Sequence, residues 1–238
     1  MILYGRNPVR EALRGRRGVS RVWATAGAAR EEWLSTVSLD RVDGAEIERL
    51  CGSPEHQGVC ADTGPYPYPY ADARSLLAPA DALVIALDEI QDPHNLGAVC
   101  RVAESAGAAG VVITERRSAE VTPAVCKASA GAVEHLAVAK VPNLANWLGE
   151  AKEAGAWVYG AATSSEAVPY DQPDYSGKAV LVLGSEGRGL RPRVAAGCDA
   201  LVSLPQRGRV GSLNVATAAA ALVYGILQLR SHGLDGGT

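Results

Sequence analysis

From residue 81 onward the apolar positions fall into short unbroken runs separated by glycine-bearing, polar loops. The segments Leu83–Leu87, Gly110–Thr114, His135–Ala139, Ala156–Ala162, Lys178–Leu183 and Ala200–Leu204 read as strands. Runs this short and this apolar suit strands buried on both faces. Between them the spacing predicts a helix over Leu96–Ala106 that stops at Gly107. A second helix opens at Thr122-Pro123 and runs toward Gly131, and a third covers Asn143–Ala154 and stops at Gly155. A longer apolar helix runs from Asn214 to about Arg230. Strand–helix alternation of this kind predicts an α/β fold built on a parallel sheet with helices on both faces.

The first 62 residues form a separate, smaller pattern. Asn7-Pro8 suits a helix start, with Asn as cap and Pro at the first helical position. That helix would stop near Gly15, burying Val9 and Leu13 while presenting Arg10 and Arg14 on another face. A strand around Val22–Ala24, a helix near Glu46–Cys51 and a strand over Gln57–Ala61 complete a small α/β unit. Residues 63–80 follow as a linker, opening with Pro65-Tyr66-Pro67-Tyr68-Pro69-Tyr70. Alternating Pro favours an extended, semi-rigid course. Its tyrosines can stack on bases or pack against a domain.

At 47% hydrophobic and 21% charged, the 238 residues have ample apolar material for such a core, although Phe is absent. No apolar run is long enough to span a membrane, and the opening residues lack the order of a secretory signal. Five scattered cysteines without metal-ligand spacing read as reduced thiols of a cytoplasmic protein, with no metal site. The net charge of -3 argues mildly against a nucleic-acid partner, but its distribution argues for one. Residues 1–30 hold Arg6, Arg10, Arg14, Arg16, Arg17, Arg21 and Arg30 against Glu11 alone, and Arg188, Arg191, Arg193, Arg207 and Arg209 cluster late in the chain. Phosphate contacts depend on local basic surface, not on whole-chain charge.

Twice in the last third a buried-type strand runs into a glycine-bearing loop with a few polar side chains. These are Leu181-Val182-Leu183-Gly184-Ser185-Glu186-Gly187-Arg188-Gly189-Leu190 and Leu201–Pro205 leading to Gly211-Ser212-Leu213-Asn214. Loops at strand carboxyl ends are where α/β proteins bind ligands. The chain has no GxGxxG after its first long strand, no Walker sequence and no HExxH, which counts against a dinucleotide dehydrogenase and a P-loop enzyme.

These loops, together with Asn95-Leu96-Gly97-Ala98-Val99-Cys100-Arg101 after the strand ending at Asp88, occur in the order of three motifs. In this the chain resembles the SpoU/TrmH class of RNA ribose 2'-O-methyltransferases. The opening Tyr4–Val9, with Glu11-Ala12-Leu13, and the segment Glu55-His56-Gln57-Gly58 are similar to the RlmB-like branch. The resemblance implies a SPOUT-type parallel sheet with a C-terminal trefoil knot over residues 81–238. It implies an L30e-like RNA substrate-binding domain over 1–62. It further implies S-adenosylmethionine as cofactor, a homodimer, and RNA as partner, with a guanosine of 23S ribosomal RNA ahead of a tRNA guanosine. A non-catalytic RNA-binding assembly factor on the same scaffold is the reading from a different functional class.

By the same resemblance, the catalytic residues are Arg101, Asn95, Glu186, Ser212 and Asn214. The cofactor would lie against Ala162, Thr163, Leu183, Gly184, Glu186, Gly187, Leu204 and Leu213. Arg6, Arg10, Arg14, Arg188, Arg207 and Arg209 would contact RNA. The residues alone allow plainer roles. Arg101 can pair with Glu104 on a helix surface, Asn95 can cap its helix, and Ser212 and Asn214 can start one. An arginine is a poor base but a good clamp for phosphate or developing oxyanion charge, so the microscopic role of Arg101 stays open. His94 suits a general base by its ordinary pKa, but the motif does not demand it. Gln206-Arg207-Gly208-Arg209 makes the third motif's loop more basic than is usual in the family.

Overall fold

The computed structural model describes residues 1–69, 72–209 and 211–235, the last four of these by backbone only. The N-terminal unit is a four-stranded sheet in the order β1-β4-β2-β3, formed by β1 (Ile2–Tyr4), β2 (Val19–Ala24), β3 (Asp40–Arg41) and β4 (Val59–Thr63). β4 runs antiparallel to both β1 and β2. Helices α1 (Arg6–Arg14) and α2 (Gly44–Cys51) pack against it. α1 starts one residue before Asn7. Its N-cap is Gly5, held at φ 93°, so the amide of Asn7 caps nothing. Asn7 instead accepts a hydrogen bond from Arg10 at 3.3 Å.

The linker course is pinned, not free. Tyr66 Oη donates to the Leu136 carbonyl at 2.9 Å and accepts from the Val138 amide at 3.2 Å. Tyr68 Oη accepts from the Val121 amide at 2.8 Å, and Lys140 Nζ lies 4.0 Å from its ring centroid. These two tyrosines therefore pack against the following unit instead of offering free faces to bases. Tyr70 lies outside the described residues. The short helix α3 (Ala73–Leu76) ends the linker.

A seven-stranded sheet follows, in the order β7-β6-β5-β10-β8-β11-β9, with every neighbouring pair parallel. Its strands are β5 (Leu83–Asp88), β6 (Gly110–Thr114), β7 (Val138–Val141), β8 (Trp157–Ala161), β9 (Val168–Pro169), β10 (Ala179–Gly184) and β11 (Ala200–Ser203). The connections carry α4 (Pro93–Ser105), α5 (Pro123–Ala128), α6 (Leu144–Glu153) and α7 (Pro192–Ala195), and α8 (Val215–Asp235) closes the chain. β7 starts later than the pattern of apolar residues predicts. Ala132–Glu134 forms a 3-10 turn, and His135 stands beside Glu11 at 3.0 Å instead of in the strand.

All of β5 is buried because the sheet is covered on both faces. Leu83, Ile85 and Leu87 join a core with α4, α5 and α8, whereas Val84 and Ala86 join one with α3, α6 and α7. Leu3, Val9, Ala12 and Val22 of the N-terminal unit belong to the first of these cores. The two units thus share apolar packing instead of meeting only through the linker.

Candidate active site

β10 lies between β5 and β8, so the carboxyl ends of β5, β10, β8 and β11 stand side by side at one edge of the sheet. The loops leaving these ends build the site. After Gly184 the chain turns back on itself: the Gly189 amide donates to the Ser185 carbonyl at 2.8 Å, with Gly187 and Gly189 at φ 79° and 65°. Gly184 is where the fold most needs a missing side chain. A Cβ there would stand 2.2 Å from the Gly189 carbonyl carbon, a distance no real Cβ tolerates. The return of this loop is tied to β5. Asp88, whose side chain is fully buried, accepts from the Arg191 amide at 2.8 Å and from Arg191 Nε at 2.7 Å. Arg191 Nη1 also lies 3.2 Å from Glu89.

On the other side of β5, α4 is capped by Asp92, whose carboxylate accepts from the His94 amide at 2.8 Å, with Pro93 in the first turn. Asn95 is therefore not the cap. Its side chain is left to face the glycine loop, where Nδ2 donates to Glu186 Oε1 at 3.0 Å. Asn214 Nδ2 donates to the same oxygen at 2.7 Å and to Asn95 Oδ1 at 2.9 Å. Asn214 also caps α8, its Oδ1 accepting from the Ala216 and Thr217 amides at 2.9 and 3.3 Å. A carboxylate beside the first amides of a helix is favourably placed, because the helix dipole and unpaired N–H groups there favour negative charge. One cluster, Asn95–Glu186–Asn214, thus joins residues from all three motif segments.

Beside this cluster lies a cavity of about 320 Å³. Ala162, Thr163, Leu183, Gly184, Gly187, Leu204 and Leu213 line it, as does Ser212. Glu186 does not. It lines an adjoining cavity of about 190 Å³ with Asn95, Gln91, Asp92 and Arg188. Both cavities share Ser185 and Val215, so they adjoin, and Asn95 and Glu186 of the cluster line the smaller one. The larger cavity is small and mostly apolar, with glycine backbone and hydroxyl groups at its edge, a composition suited to a small organic ligand. Among the described residues no group of acidic, His and Cys side chains has the arrangement of a metal site.

Arg101 is not drawn into the cluster. It is exposed on α4, and among the described residues its side chain has no ion pair or hydrogen bond, so the alternative pairing with Glu104 does not form. Arg188, Arg207 and Arg209 are exposed on the site loops. On α1, Arg6 pairs with Glu31 at 2.8 Å, and Arg10 and Arg14 lie 3.0 and 3.6 Å from Glu11. Their positive charge is therefore partly met within the unit. Sequence reasoning missed the Asp88–Arg191 clamp. The available signal was an acid ending an otherwise apolar strand and an arginine directly after the glycine loop.

The same regions match two families of known proteins. Residues 82–224 match the SpoU rRNA methylase family, and residues 2–69 match the substrate-binding domain of RNA 2'-O ribose methyltransferases. The chain belongs to the SpoU/TrmH family of RNA methyltransferases. It is 36% identical to the putative TrmH family tRNA/rRNA methyltransferase YacO of Bacillus subtilis, over 96% of each protein. It is 37% identical to an uncharacterized tRNA/rRNA methyltransferase of Synechocystis over 98% of this chain, which spans 63% of that protein's length. In fold it resembles the SpoU methyltransferase AviRb of Streptomyces viridochromogenes, solved with AdoMet (S-adenosylmethionine), at a TM-score of 0.80 and 22% identity, covering 97% of this chain and 90% of that one. SpoU methyltransferases use AdoMet, and the cavity bounded by the motif loops has the size and lining for such a ligand.

Proposed function

We propose that this RNA methyltransferase acts on the ribose 2'-hydroxyl of a guanosine in 23S ribosomal RNA, drawing the methyl group from AdoMet. The observation that carries the reading is the Asn95–Glu186–Asn214 cluster beside an outer cavity that also holds Arg188 and adjoins the small-molecule cavity. AdoMet supplies an activated methyl group, so the residues must mainly align an acceptor and relieve it of its proton. Gly184, Leu204 and Leu213 would hold the cofactor, with Ala162 and Thr163 beside it. Ser212 and Asn214 would orient the ribose through their polar side chains, while Glu186 holds Asn95 and Asn214 in place. Arg101 is the essential arginine of the proposal: unpaired and exposed, it is free to meet an RNA phosphate or the developing oxyanion.

The N-terminal unit would grip RNA as an L30e-like domain, with Arg6, Arg10 and Arg14 on one side and Arg188, Arg207 and Arg209 at the site. The match of residues 2–69 to a substrate-binding domain of RNA 2'-O ribose methyltransferases supports RNA binding by this unit. The proposed assembly is a homodimer in the cytoplasm. An exposed strip of α8 carrying Thr217, Ala221, Tyr224 and Gln228 is uncharged, and Tyr224 is 50% exposed, which suits burial by a second copy. The proposed path of the C-terminal segment is the trefoil knot of the family.

The substrate is tested by mapping ribose methylation across ribosomal RNA and tRNA from cells with and without the gene. Loss of one ribosomal 2'-O-methyl mark supports the reading. Loss of a tRNA mark instead replaces the substrate and keeps the chemistry.

A further inference from the structure

The substrate-binding and methyltransferase units meet at a buried charge pair. Arg17, between α1 and β2, has a side chain 3% exposed, and Glu134, between α5 and β7, one 0% exposed. Arg17 Nε donates to Glu134 Oε2 at 2.8 Å and Nη2 donates to Oε1. Arg17 Nη1 reaches the Gly64 carbonyl at 3.4 Å, and the guanidinium stands 5.6 Å from the Tyr66 ring centroid. One side chain therefore ties the first unit, the linker and the second unit together.

Other contacts surround it. His135 meets Glu11 at 3.0 Å, and Lys127 Nζ donates to the Glu55 carbonyl at 2.8 Å. The backbones approach too closely for side chains at two glycines. A Cβ on Gly15 would stand 2.8 Å from Glu134 Cβ, and one on Gly131 would stand 2.7 Å from Glu11 Cβ. Shared apolar packing completes the interface.

A buried ion pair adds little net stability relative to apolar residues of the same volume. Its better-attested value is in specifying one arrangement, and removing one partner is costly. Here the arrangement specified is the orientation of one RNA-contacting unit on another. Two contacts held on one rigid body act at high effective concentration toward a ligand that spans both, an advantage lost when the bodies turn freely.

We propose that Arg17 and Glu134 are positioning residues that determine substrate specificity: they fix the substrate-binding unit on the methyltransferase unit, so that the chain selects RNA able to span both in one geometry. The proposal rests on the RNA-methyltransferase reading above.

The test compares three full-length variants with the wild type: Arg17→Met, Gly15→Ala, and the pair Arg17→Met with Glu134→Leu. Affinity is measured by filter binding for transcribed 23S ribosomal RNA and for a hexanucleotide, and by calorimetry for AdoMet. Arg17→Met and Gly15→Ala should each weaken the long RNA by about tenfold and leave the hexanucleotide and AdoMet within about twofold. The double variant should recover most of the loss, because an apolar pair restores packing without leaving a lone charge. Equal losses for long and short RNA, an unchanged long-RNA affinity, or a double variant as weak as the single would each overturn the proposal. Should Arg17→Met fail to fold, Gly15→Ala carries the same comparison. These affinities do not depend on turnover. A wild type that binds long RNA but transfers no methyl defeats the ribose-methylation reading alone, and the affinity series still decides this one.

Discussion

Asn95 Nδ2 stands 3.0 Å from Glu186 Oε1, joining the first turn of α4 to the glycine loop 91 residues later. Because Asn214 donates to the same oxygen at 2.7 Å, Glu186 fixes both Asn95 and Asn214, the latter proposed to orient the ribose, without itself lining the larger cavity. Glu186→Ala should therefore lower kcat by about 100-fold, the scale of a small misplacement of reacting groups. AdoMet affinity should stay near wild type. Single-turnover methyl transfer and calorimetry check the two parts separately.

The cavity itself depends on Gly184. A methyl group there would drive into the Gly189 backbone at 2.2 Å, and backbone cannot rotate aside as a side chain can. Gly184→Ala should weaken AdoMet binding by at least about 100-fold, roughly 3 kcal/mol. Calorimetry measures it, and a retained affinity would show that the loop is not the cofactor cradle.

Asp88→Asn should loosen the return of the same loop. Asp88 holds Arg191 through the amide and the guanidinium, and hydrogen bonds to a charged group each contribute about 2 kcal/mol. The variant should unfold at lower urea and bind AdoMet about tenfold more weakly. Equal AdoMet affinity in variant and wild type would remove the clamp from the account of the site.

Much of the fold was legible because its signals are local. Six apolar runs with glycine or capped-helix punctuation marked the main strands, and Asn143, Thr122 and Gly155 stood where capping and stopping chemistry puts them. Signals failed where tertiary contacts overrode propensity. Asn7 and Asn95 both carry good capping side chains, yet Gly5 and Asp92 occupy the cap positions, and Asn95 turns instead to Glu186. Leu136 and Ala137 look like strand but complete a turn that brings Glu134 and His135 to the N-terminal unit. The two-residue strands β3 and β9 are too short to carry a period. Of the site, the residues on one loop could be read from motif order. The convergence of Asn95, Glu186 and Asn214 on one oxygen, and of Asp88 with Arg191, depends on strand order, which local pattern does not encode.

Burial shapes the alkaline limb of stability. It pushes the Cys60 and Cys126 thiols from an ordinary 9.0 up to about 12, and Cys198 up to about 11. Folded thiols thus keep protons that unfolded ones release. Their contribution is fully present below pH 9 and is lost as pH rises from there toward about 11 to 12. Urea midpoints should fall steadily between pH 9 and pH 11. A flat profile would show that these thiols ionise equally well in the fold.

The exposed Tyr224 gives a direct handle on assembly. Tyr224→Arg should place a charge in an uncharged strip of α8 and convert the proposed dimer to monomer, read by light scattering at micromolar concentration. A wild type that is monomeric there would remove the second copy from the account.

Every residue role proposed above depends on transfer of methyl to ribose. Its most direct measurement uses AdoMet labelled on the methyl group, with unmodified ribosomal RNA and tRNA supplied separately, followed by digestion to nucleosides. Label is expected on the 2'-oxygen of a guanosine from ribosomal RNA, lost in Arg101→Ala. Label on a base, or ribose label that persists undiminished in Arg101→Ala, would contradict it.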